Sequence, residues 1–212
     1  MLKIYTAHTQ ELKNDALFWK QYQTVPAHRK EKIDRMRFDK DKRLSLGAWL
    51  LLTEGLSEIG IHDKEMELSY GTGGKPFLKK YPDIYFSLSH SEEAVMCAIS
   101  DREVGCDVEK VKDIDLKIAK RFFHEKEYEK IIGQSTKEER LDMFYRFWTL
   151  KESFMKVTGL GMRLALSDFM IELGHDTIRV EQQVKEKAGF YFKEFDLKDG
   201  YQYACCVQTE GE

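Results

Sequence analysis

Hydrophobic residues recur along the first half of the chain with the spacing of a helix and then with that of strands. Intervals of three and four residues predict a helix from Ser45 to Ile59. Its apolar face consists of Trp49, Leu52, Leu56 and Ile59. Two short apolar runs follow at 84–88 and 94–99, and runs of this length and composition are typical of paired strands. The first half is therefore predicted to contain a long helix and a hairpin.

The second half repeats this order. A helix is predicted from Met143 to Val157, and strands are predicted at 189–195 and 201–207, joined by a turn at Asp199-Gly200. The apolar face of the helix consists of Phe147, Leu150, Phe154 and Val157. This repetition predicts an α+β pseudo-dimer of two similar subdomains, each an antiparallel sheet packed with a long helix. We expect an N-terminal lobe at 1–103, a C-terminal lobe at 104–212 and an active site in the cleft between them.

Two short motifs from these elements carry candidate chemistry. Residues 103–108 have the pattern of a strand, so Asp107 and Glu109 would face one side while the residues between them face the core. Glu152 and Lys156 are four residues apart and share one face of the second predicted helix. A helix packed across the strand would bring the three carboxylates together beside an ammonium group. Hard oxygen ligands next to a cation suit Mg²⁺ and a phosphate-bearing substrate.

Each motif alone also has a simpler explanation. An Asp-x-Glu pair at a strand end is usually solvated surface, and a Glu-x-x-x-Lys pair usually forms a helix ion pair worth about 0.2–0.5 kcal/mol. The glycine-rich segment 71–76 is either a flexible loop or a backbone that approaches a nucleotide, with Lys75 adding charge. His90, within Ser87-Leu88-Ser89-His90-Ser91, is either structural or a phosphate donor. It is the co-occurrence of these motifs that favours a functional interpretation.

Composition limits the class of protein. The 212 residues carry a net charge of -3, so nucleic-acid binding is not expected. No apolar stretch approaches the roughly 20 residues of a membrane span, and the first residues lack a signal-peptide core. The four cysteines lie in apolar runs, which predicts buried free thiols and a cytoplasmic protein. Segment 28–43 is strongly basic, which indicates either a solvated helix or a contact for a concentrated anion.

Read together, four motifs resemble the 4′-phosphopantetheinyl transferases of the surfactin-synthetase-activating (Sfp) type. They are Gly74-Lys75-Pro76, Phe86-Ser87-Leu88-Ser89-His90-Ser91, Gly105-Cys106-Asp107-Val108-Glu109 and Trp148-Thr149-Leu150-Lys151-Glu152-Ser153. The resemblance covers essentially the whole chain. It implies transfer of the phosphopantetheine arm of coenzyme A to a serine of an apo acyl or peptidyl carrier protein. It further implies a requirement for Mg²⁺ and the release of adenosine 3′,5′-bisphosphate.

The resemblance also assigns roles to individual residues. Catalysis falls to Glu152, Asp107 and Lys156, with Glu152 as a metal ligand and a possible base for the carrier serine. The metal ligands are Asp107, Glu109 and Glu152. The coenzyme A contacts are Gly74, Lys75, Pro76, Ser89, His90 and Lys156, with Arg29, Lys32 and Arg43 near the 3′-phosphate. Glu127 resembles a further acid of the family, without an assigned role.

The partner and two rival functions complete the sequence-based expectations. The resemblance places carrier docking after the Glu152 helix, where Met162, Leu164, Leu166 and Phe169 accompany Arg163, although an ordinary buried loop has the same composition. The carrier's pathway, whether for fatty acids, polyketides, nonribosomal peptides or lysine, is open, and a monomer is expected. One rival is a non-catalytic module of the same fold that binds coenzyme A or a carrier protein. The other is a Mg²⁺-dependent phosphohydrolase.

Overall fold

The computed structural model describes residues 1–62, 66–71, 73–175, 177–182 and 189–210. The α-helices described in its N-terminal half are α1 (Asp15–Gln23), α2 (Ala27–Asp34) and α3 (Asp39–Ser57). Its strands are β1 (Leu2–His8), β2 (Leu68–Tyr70), β3 (Pro76–Leu78), β4 (Tyr85–Ser91) and β5 (Ala94–Ser100).

The C-terminal half has the same kinds of element. Its helices are α4 (Lys117–Phe122), α5 (Glu125–Ile132) and α6 (Lys137–Thr158). Its strands are β6 (Val104–Lys110), β7 (Phe169–Leu173), β8 (Ile178–Gln182), β9 (Gly189–Phe195) and β10 (Tyr201–Thr209). Both halves therefore combine helices with strands, as the sequence predicts.

Two antiparallel three-stranded sheets have matching connectivity. One has the order β1-β5-β4 and the other the order β6-β10-β9. In each sheet the first strand of the half pairs with the last, and a long helix follows the first strand: α3 in one half and α6 in the other. This correspondence confirms the predicted pseudo-dimer of two α+β subdomains. The precise division at residues 103 and 104 stays a prediction.

Both long helices begin earlier than their apolar spacing predicts. The helix predicted to begin at Ser45 starts at Asp39, and the helix predicted to begin at Met143 starts at Lys137. The start of α6 is fixed by a capping box, because the Thr136 hydroxyl accepts a hydrogen bond from the backbone N–H of Glu139. Apolar spacing marks only the buried part of a helix, and in α6 the exposed first turn is set by this capping box.

A shared core joins the two sheets. Apolar residues of β5, β6 and β10 form a cluster between them, and Cys106, Val108 and Tyr203 within it are at most 1% exposed. All four cysteines are buried and free, which confirms the prediction of buried thiols. Among the described residues, no helix combines the length and apolar character that crossing a bilayer requires.

Strands β4 and β6 belong to different sheets and are joined through serine side chains. The backbone N–H of Cys106 donates to Ser87 Oγ at 3.0 Å, and the N–H of Lys110 donates to Ser91 Oγ at 3.2 Å. Alternate residues of β4 therefore face β6 over its whole length. This seam places the acidic motif of β6 directly beside the Ser-His motif of β4.

Candidate active site

Asp107 is the centre of the polar cluster at the seam. Its carboxylate is only 4% exposed, and Oδ1 accepts hydrogen bonds from Ser89 Oγ at 2.7 Å and from Lys156 Nζ at 2.7 Å. The same ammonium donates to the carbonyl oxygen of Cys106 at 2.9 Å. Opposing effects act on the pKa of Lys156, because burial lowers it while Asp107 raises it, and the net result is an increase. Lys156 therefore stays charged at neutral pH.

Gly105 explains how α6 comes so close to β6. A Cβ atom at this position would lie 2.0 Å from the Ser153 carbonyl oxygen and 2.7 Å from the Val157 nitrogen. Only glycine allows the helix backbone to rest on the strand at this point. The predicted packing of helix across strand is confirmed, and it is the reason that Lys156 reaches Asp107.

The two glutamates of the motifs are half-buried at the same site. Ser91 Oγ donates to Glu109 Oε2 at 2.7 Å. Burial raises the pKa of Glu109, and the negative charges of Asp107 and Glu152 act in the same direction. Burial and the charge of Asp107 likewise raise the pKa of Glu152. The mutual influence of these charges indicates that the three carboxylates share one region.

The donor set at this site fits a divalent cation. Asp107 Oδ2 is buried and has no hydrogen-bond partner among the described residues, although its partner oxygen Oδ1 has two. A buried acceptor without a partner is costly, and a cation would satisfy it. The described side chains nevertheless contain no group of three His, Cys, Asp or Glu already arranged around one ion. A shared ion therefore requires Glu109 and Glu152 to rearrange toward Asp107.

A cleft of about 300 Å³ opens beside this cluster. It is lined by residues of the glycine-rich loop, of β4 and of α6: Gly73, Gly74, Lys75, Pro76, Phe86, Ser87, Leu88, Glu152, Met155, Lys156, Gly159 and Gly161. Glu152 and Lys156 thus face the same space as the predicted nucleotide loop. The loop is a hairpin turn between β2 and β3, closed by a hydrogen bond from the Gly71 N–H to the Lys75 carbonyl at 3.0 Å. Thr72 lies outside the described residues.

Lys75 is engaged differently from its predicted role. Its ammonium lies 2.5 Å from Glu103 Oε2 and donates to the carbonyl oxygen of Val104 at 3.0 Å. Val104 is the first residue of β6, and Glu103 directly precedes it. The sequence indicated a charge available to a nucleotide, and the structure shows that the charge has acceptors within the protein.

His90 and three residues of the basic segment are the remaining residues predicted to contact phosphate. His90 is exposed near the end of β4, and its pKa is lowered by loss of solvent around the ring and by the charge of Lys156. Lys32 is exposed on α2, and Arg43 is half-buried on α3. Neither residue, nor Arg29, is among the described residues that line the 300 Å³ cleft. Their assignment to a phosphate stays a prediction.

Arg29 is buried beside Ser45, a residue that the sequence did not indicate as part of the site. Its Nη2 donates to the Ser45 carbonyl at 2.7 Å, and its guanidinium carbon lies 5.2 Å from the centroid of the Trp49 ring. Burial lowers the pKa of Arg29. Arg29 Nε and Ser45 Oγ are both buried without a hydrogen-bond partner in the described part of the chain. This Arg-Ser pair therefore holds two unused hydrogen-bonding groups.

Glu127, the acid without an assigned role, forms a buried ion pair with Lys151. Its Oε1 lies 2.9 Å from Lys151 Nζ and also accepts the Ile171 N–H at 2.7 Å, while Oε2 accepts the His124 N–H at 3.0 Å. The two side chains are 1% and 0% exposed. This pair ties α5, α6 and β7 together, so Glu127 has a structural role.

The segment predicted to dock a carrier protein is only partly available. Phe169 is 2% exposed and its ring centroid lies 4.8 Å from that of Phe154, so at this residue the segment matches the alternative of an ordinary buried loop. Leu164 and Leu166 are half-buried against the same core. Arg163 is exposed, whereas the Met162 side chain lies outside the described structure.

Comparisons with known proteins identify the family of the chain. A family model described as the 4′-phosphopantetheinyl transferase superfamily matches residues 103–206, and one described as the 4′-phosphopantetheinyl transferase N-terminal region matches residues 14–102. The chain is 33% identical to 4′-phosphopantetheinyl transferase Sfp of Bacillus subtilis (strain 168) over 184 residues, which cover 86% of this chain and 82% of that protein.

Two further similarities were found. The chain is 37% identical to 4′-phosphopantetheinyl transferase gsp of Aneurinibacillus migulanus over 169 residues, covering 79% of this chain and 69% of that protein. Among solved structures, holo-[acyl-carrier-protein] synthase of Thermotoga maritima aligns with a TM-score of 0.44 and 20% identity, over 51% of this chain and 63% of that one.

Proposed function

The chain belongs to the 4′-phosphopantetheinyl transferase superfamily, and from this premise we propose the reaction that it catalyses. The 4′-phosphopantetheine arm of coenzyme A is transferred to a serine of an apo acyl or peptidyl carrier protein, and adenosine 3′,5′-bisphosphate is released. The observation that carries this proposal is the polar cluster where β4 meets β6. There Lys156 donates a hydrogen bond to Asp107, and Lys156 and Glu152 both line the cleft beside the glycine-rich loop.

Mg²⁺ dependence is the second part of the proposal, with Asp107, Glu109 and Glu152 as ligands. The buried Asp107 Oδ2 without a partner and the raised pKa values of both glutamates support it, because a cation would relieve each of them. When bound, Mg²⁺ would act as a Lewis acid on the pyrophosphate of coenzyme A.

The remaining steps fall to side chains of the chain itself. Lys156, which keeps its charge, donates to the pyrophosphate as negative charge grows on the leaving oxygen. His90, whose pKa is lowered, acts as a neutral donor beside it. Glu152 accepts the proton of the carrier serine, and its raised pKa brings it nearer to the value that suits a base at neutral pH.

We place the 3′-phosphate of coenzyme A near the Arg-Ser pair at the junction of α2 and α3. Arg29 Nε and Ser45 Oγ are hydrogen-bonding groups without partners in the described structure, and an anion would use both. Lys32 adds charge beside them: its lowered pKa reflects lost hydration first and the neighbouring charge of Arg29 second. Arg43 completes the basic segment. A cytoplasmic monomer without nucleic-acid partners remains our expectation.

Intact mass spectrometry of an apo carrier protein tests the proposal. Incubation with this protein, coenzyme A and Mg²⁺ should add the mass of the phosphopantetheine arm, and EDTA should abolish the gain. Asp107→Ala should abolish transfer, whereas Asp113→Ala, which removes an exposed partner of Lys137, should not. Adenosine 3′,5′-bisphosphate formed without a carrier would indicate hydrolysis. A folded wild-type protein that modifies none of several unrelated apo carriers would overturn the proposal in favour of a binding module.

A further inference from the structure

The glycine-rich loop of the N-terminal half is fastened to the C-terminal half by one ammonium group. Lys75 Nζ contacts two consecutive residues, the carboxylate of Glu103 at 2.5 Å and the carbonyl oxygen of Val104 at 3.0 Å. Glu103 is itself held in place, because its carbonyl oxygen accepts a hydrogen bond from the Gln208 N–H at 2.9 Å. The loop is therefore tied to the edge of a formed sheet.

A second contact fixes the same loop. A Cβ atom on Gly73 would lie 1.8 Å from the carbonyl oxygen of Gly159, so the loop backbone rests directly on the end of α6. Gly159 ends that helix in the left-handed conformation, with φ of 66°. The loop thus touches both elements that carry the catalytic cluster, β6 through Lys75 and α6 through Gly73.

The Lys75–Glu103 pair lies in a wall between two clefts. Lys75 lines the 300 Å³ cleft that also contains Glu152 and Lys156. It also lines a second cleft of about 360 Å³, whose wall includes Glu103 and the rings of Tyr85 and Phe86. The side chains of Lys75 and Glu103 are 21% and 38% exposed, so the pair is partly shielded from solvent. Shielded pairs are less weakened by salt than surface pairs.

We propose that Glu103 is a positioning residue for coenzyme A, and that it acts through Lys75. The ion pair holds Gly74 and Pro76 in the conformation that receives the nucleotide, so that their backbone forms a fixed wall of the cleft. Glycine-rich segments lose much conformational freedom when they become ordered, and ordering them before the ligand arrives improves binding. In this role the Lys75 ammonium serves the loop and not the phosphate. The inference rests on the proposed function.

The steady-state constants of single variants give the first test. Glu103→Gln should raise KM for coenzyme A about three- to tenfold, as expected for the loss of a partly shielded ion pair, and should leave kcat within about twofold. Calorimetry with coenzyme A alone, without carrier or Mg²⁺, should show the same increase in Kd. If the Lys75 ammonium instead contacts a phosphate, Glu103→Gln would free it, and the affinity for coenzyme A would stay the same or improve.

A charge exchange separates the two roles of Lys75 more sharply. Lys75→Glu alone should weaken binding, and Lys75→Glu combined with Glu103→Lys should recover most of the affinity because the ion pair is rebuilt with its charges reversed. A lysine that contacts phosphate gives the opposite result, since the double variant would still place a carboxylate where the ammonium had been. Failure of the double variant to improve on Lys75→Glu would overturn the inference.

A matched control guards against general loss of stability. Arg146 and Glu194 form a two-fold hydrogen-bonded ion pair, both bonds at 2.7 Å, with side chains 36% and 24% exposed. Neither residue lines either cleft beside Lys75. Glu194→Gln should lower the thermal midpoint about as much as Glu103→Gln and leave KM unchanged. An equal rise of KM in both variants would overturn the inference.

The outcomes for the inference and for the proposed function are distinct. A wild-type protein that transfers the arm, together with a Glu103→Gln variant of unchanged KM and Kd, would overturn the inference alone. If the affinity of the protein for coenzyme A depends on the Lys75–Glu103 pair but the wild-type protein modifies no carrier, the proposed transfer reaction alone would be overturned. A wild-type protein that does not bind coenzyme A would overturn both.

Discussion

Replacing Lys151 by methionine removes a charge from the interior of the C-terminal half and leaves its partner behind. The Lys151 ammonium is fully buried, lies 2.9 Å from Glu127 Oε1 and donates to the carbonyl oxygens of Leu166 at 2.8 Å and Phe169 at 2.7 Å. Methionine fills a similar volume but donates no hydrogen bond. The Glu127 carboxylate would keep only its two backbone N–H donors while remaining buried.

The expected loss of stability is large. Breaking a buried ion pair by removing one partner costs about 3–5 kcal/mol, because the remaining charge stays without compensation. Native domains are stable by only about 5–15 kcal/mol in total. With a slope of about 2–3 kcal/mol per molar urea, the unfolding midpoint should fall by about 1–2.5 M.

Urea unfolding followed by circular dichroism measures this loss. Lys137→Met is the matched control, because it removes an exposed partner of Asp113 and should cost less than about 1 kcal/mol. Adding Glu127→Gln to Lys151→Met should recover part of the loss, since the stranded charge is removed. A midpoint for Lys151→Met equal to that of Lys137→Met would refute the assignment of this pair as a structural anchor.

Four further predictions concern the active site. Gly105→Ala should lower transfer at least about 100-fold in the mass assay, because its Cβ would meet the Ser153 carbonyl at 2.0 Å and displace the strand that carries Asp107 from α6. Transfer near the wild-type rate would contradict this. Mg²⁺ binding should release protons at a pH above the usual glutamate range, because the pKa values of Glu109 and Glu152 are raised. Calorimetry in two buffers of different ionisation enthalpy measures this release, and equal heats would contradict it. Because the pKa values of Glu109 and Glu152 are raised in the folded state, the metal-free protein binds their protons more tightly when folded than when unfolded. Its free energy of unfolding should therefore decrease as pH rises through these folded-state pKa values. Ser45→Ala should weaken the binding of adenosine 3′,5′-bisphosphate about three- to tenfold and leave the binding of adenosine 5′-monophosphate unchanged, as measured by competition calorimetry. Equal effects on the two affinities would exclude a 3′-phosphate contact.

The elements that carry the site could be predicted because burial imposes a period on the sequence. The apolar face around Leu150 and Phe154 revealed α6, and the alternation around Cys106 revealed β6. Once both elements were assigned, the positions of Asp107 and Lys156 on facing surfaces followed from their spacing. The contact between helix and strand had a signal as well, because Gly105 is the residue that lets two backbones approach.

The partner of Lys75 had no such signal. Glu103 is 28 residues away along the chain, and the loop and the strand meet only after the two halves have packed. Ion pairs between distant segments leave no periodic mark, so a lysine in a glycine-rich loop is naturally assigned to a phosphate. Ser45 was missed for a related reason: its hydroxyl matters only because Arg29 is buried beside it, and a basic segment in isolation predicts exposed side chains.

Lys151 shows where the sequence held more information than its spacing alone suggests. It follows Phe147 by four residues and precedes Phe154 by three, so it occupies a position on the buried face of α6, whereas Glu152 is turned toward the cleft. A lysine at such a position requires a buried counter-charge, because an unpaired ammonium in the core is too costly to retain. Glu127 was the acid without an assigned role, in a segment where Phe123 and Ile131 also face the core. The requirement for a buried counter-charge pairs Lys151 with Glu127. The same reasoning separates structural charges from catalytic ones wherever a charged residue falls on an apolar helix face.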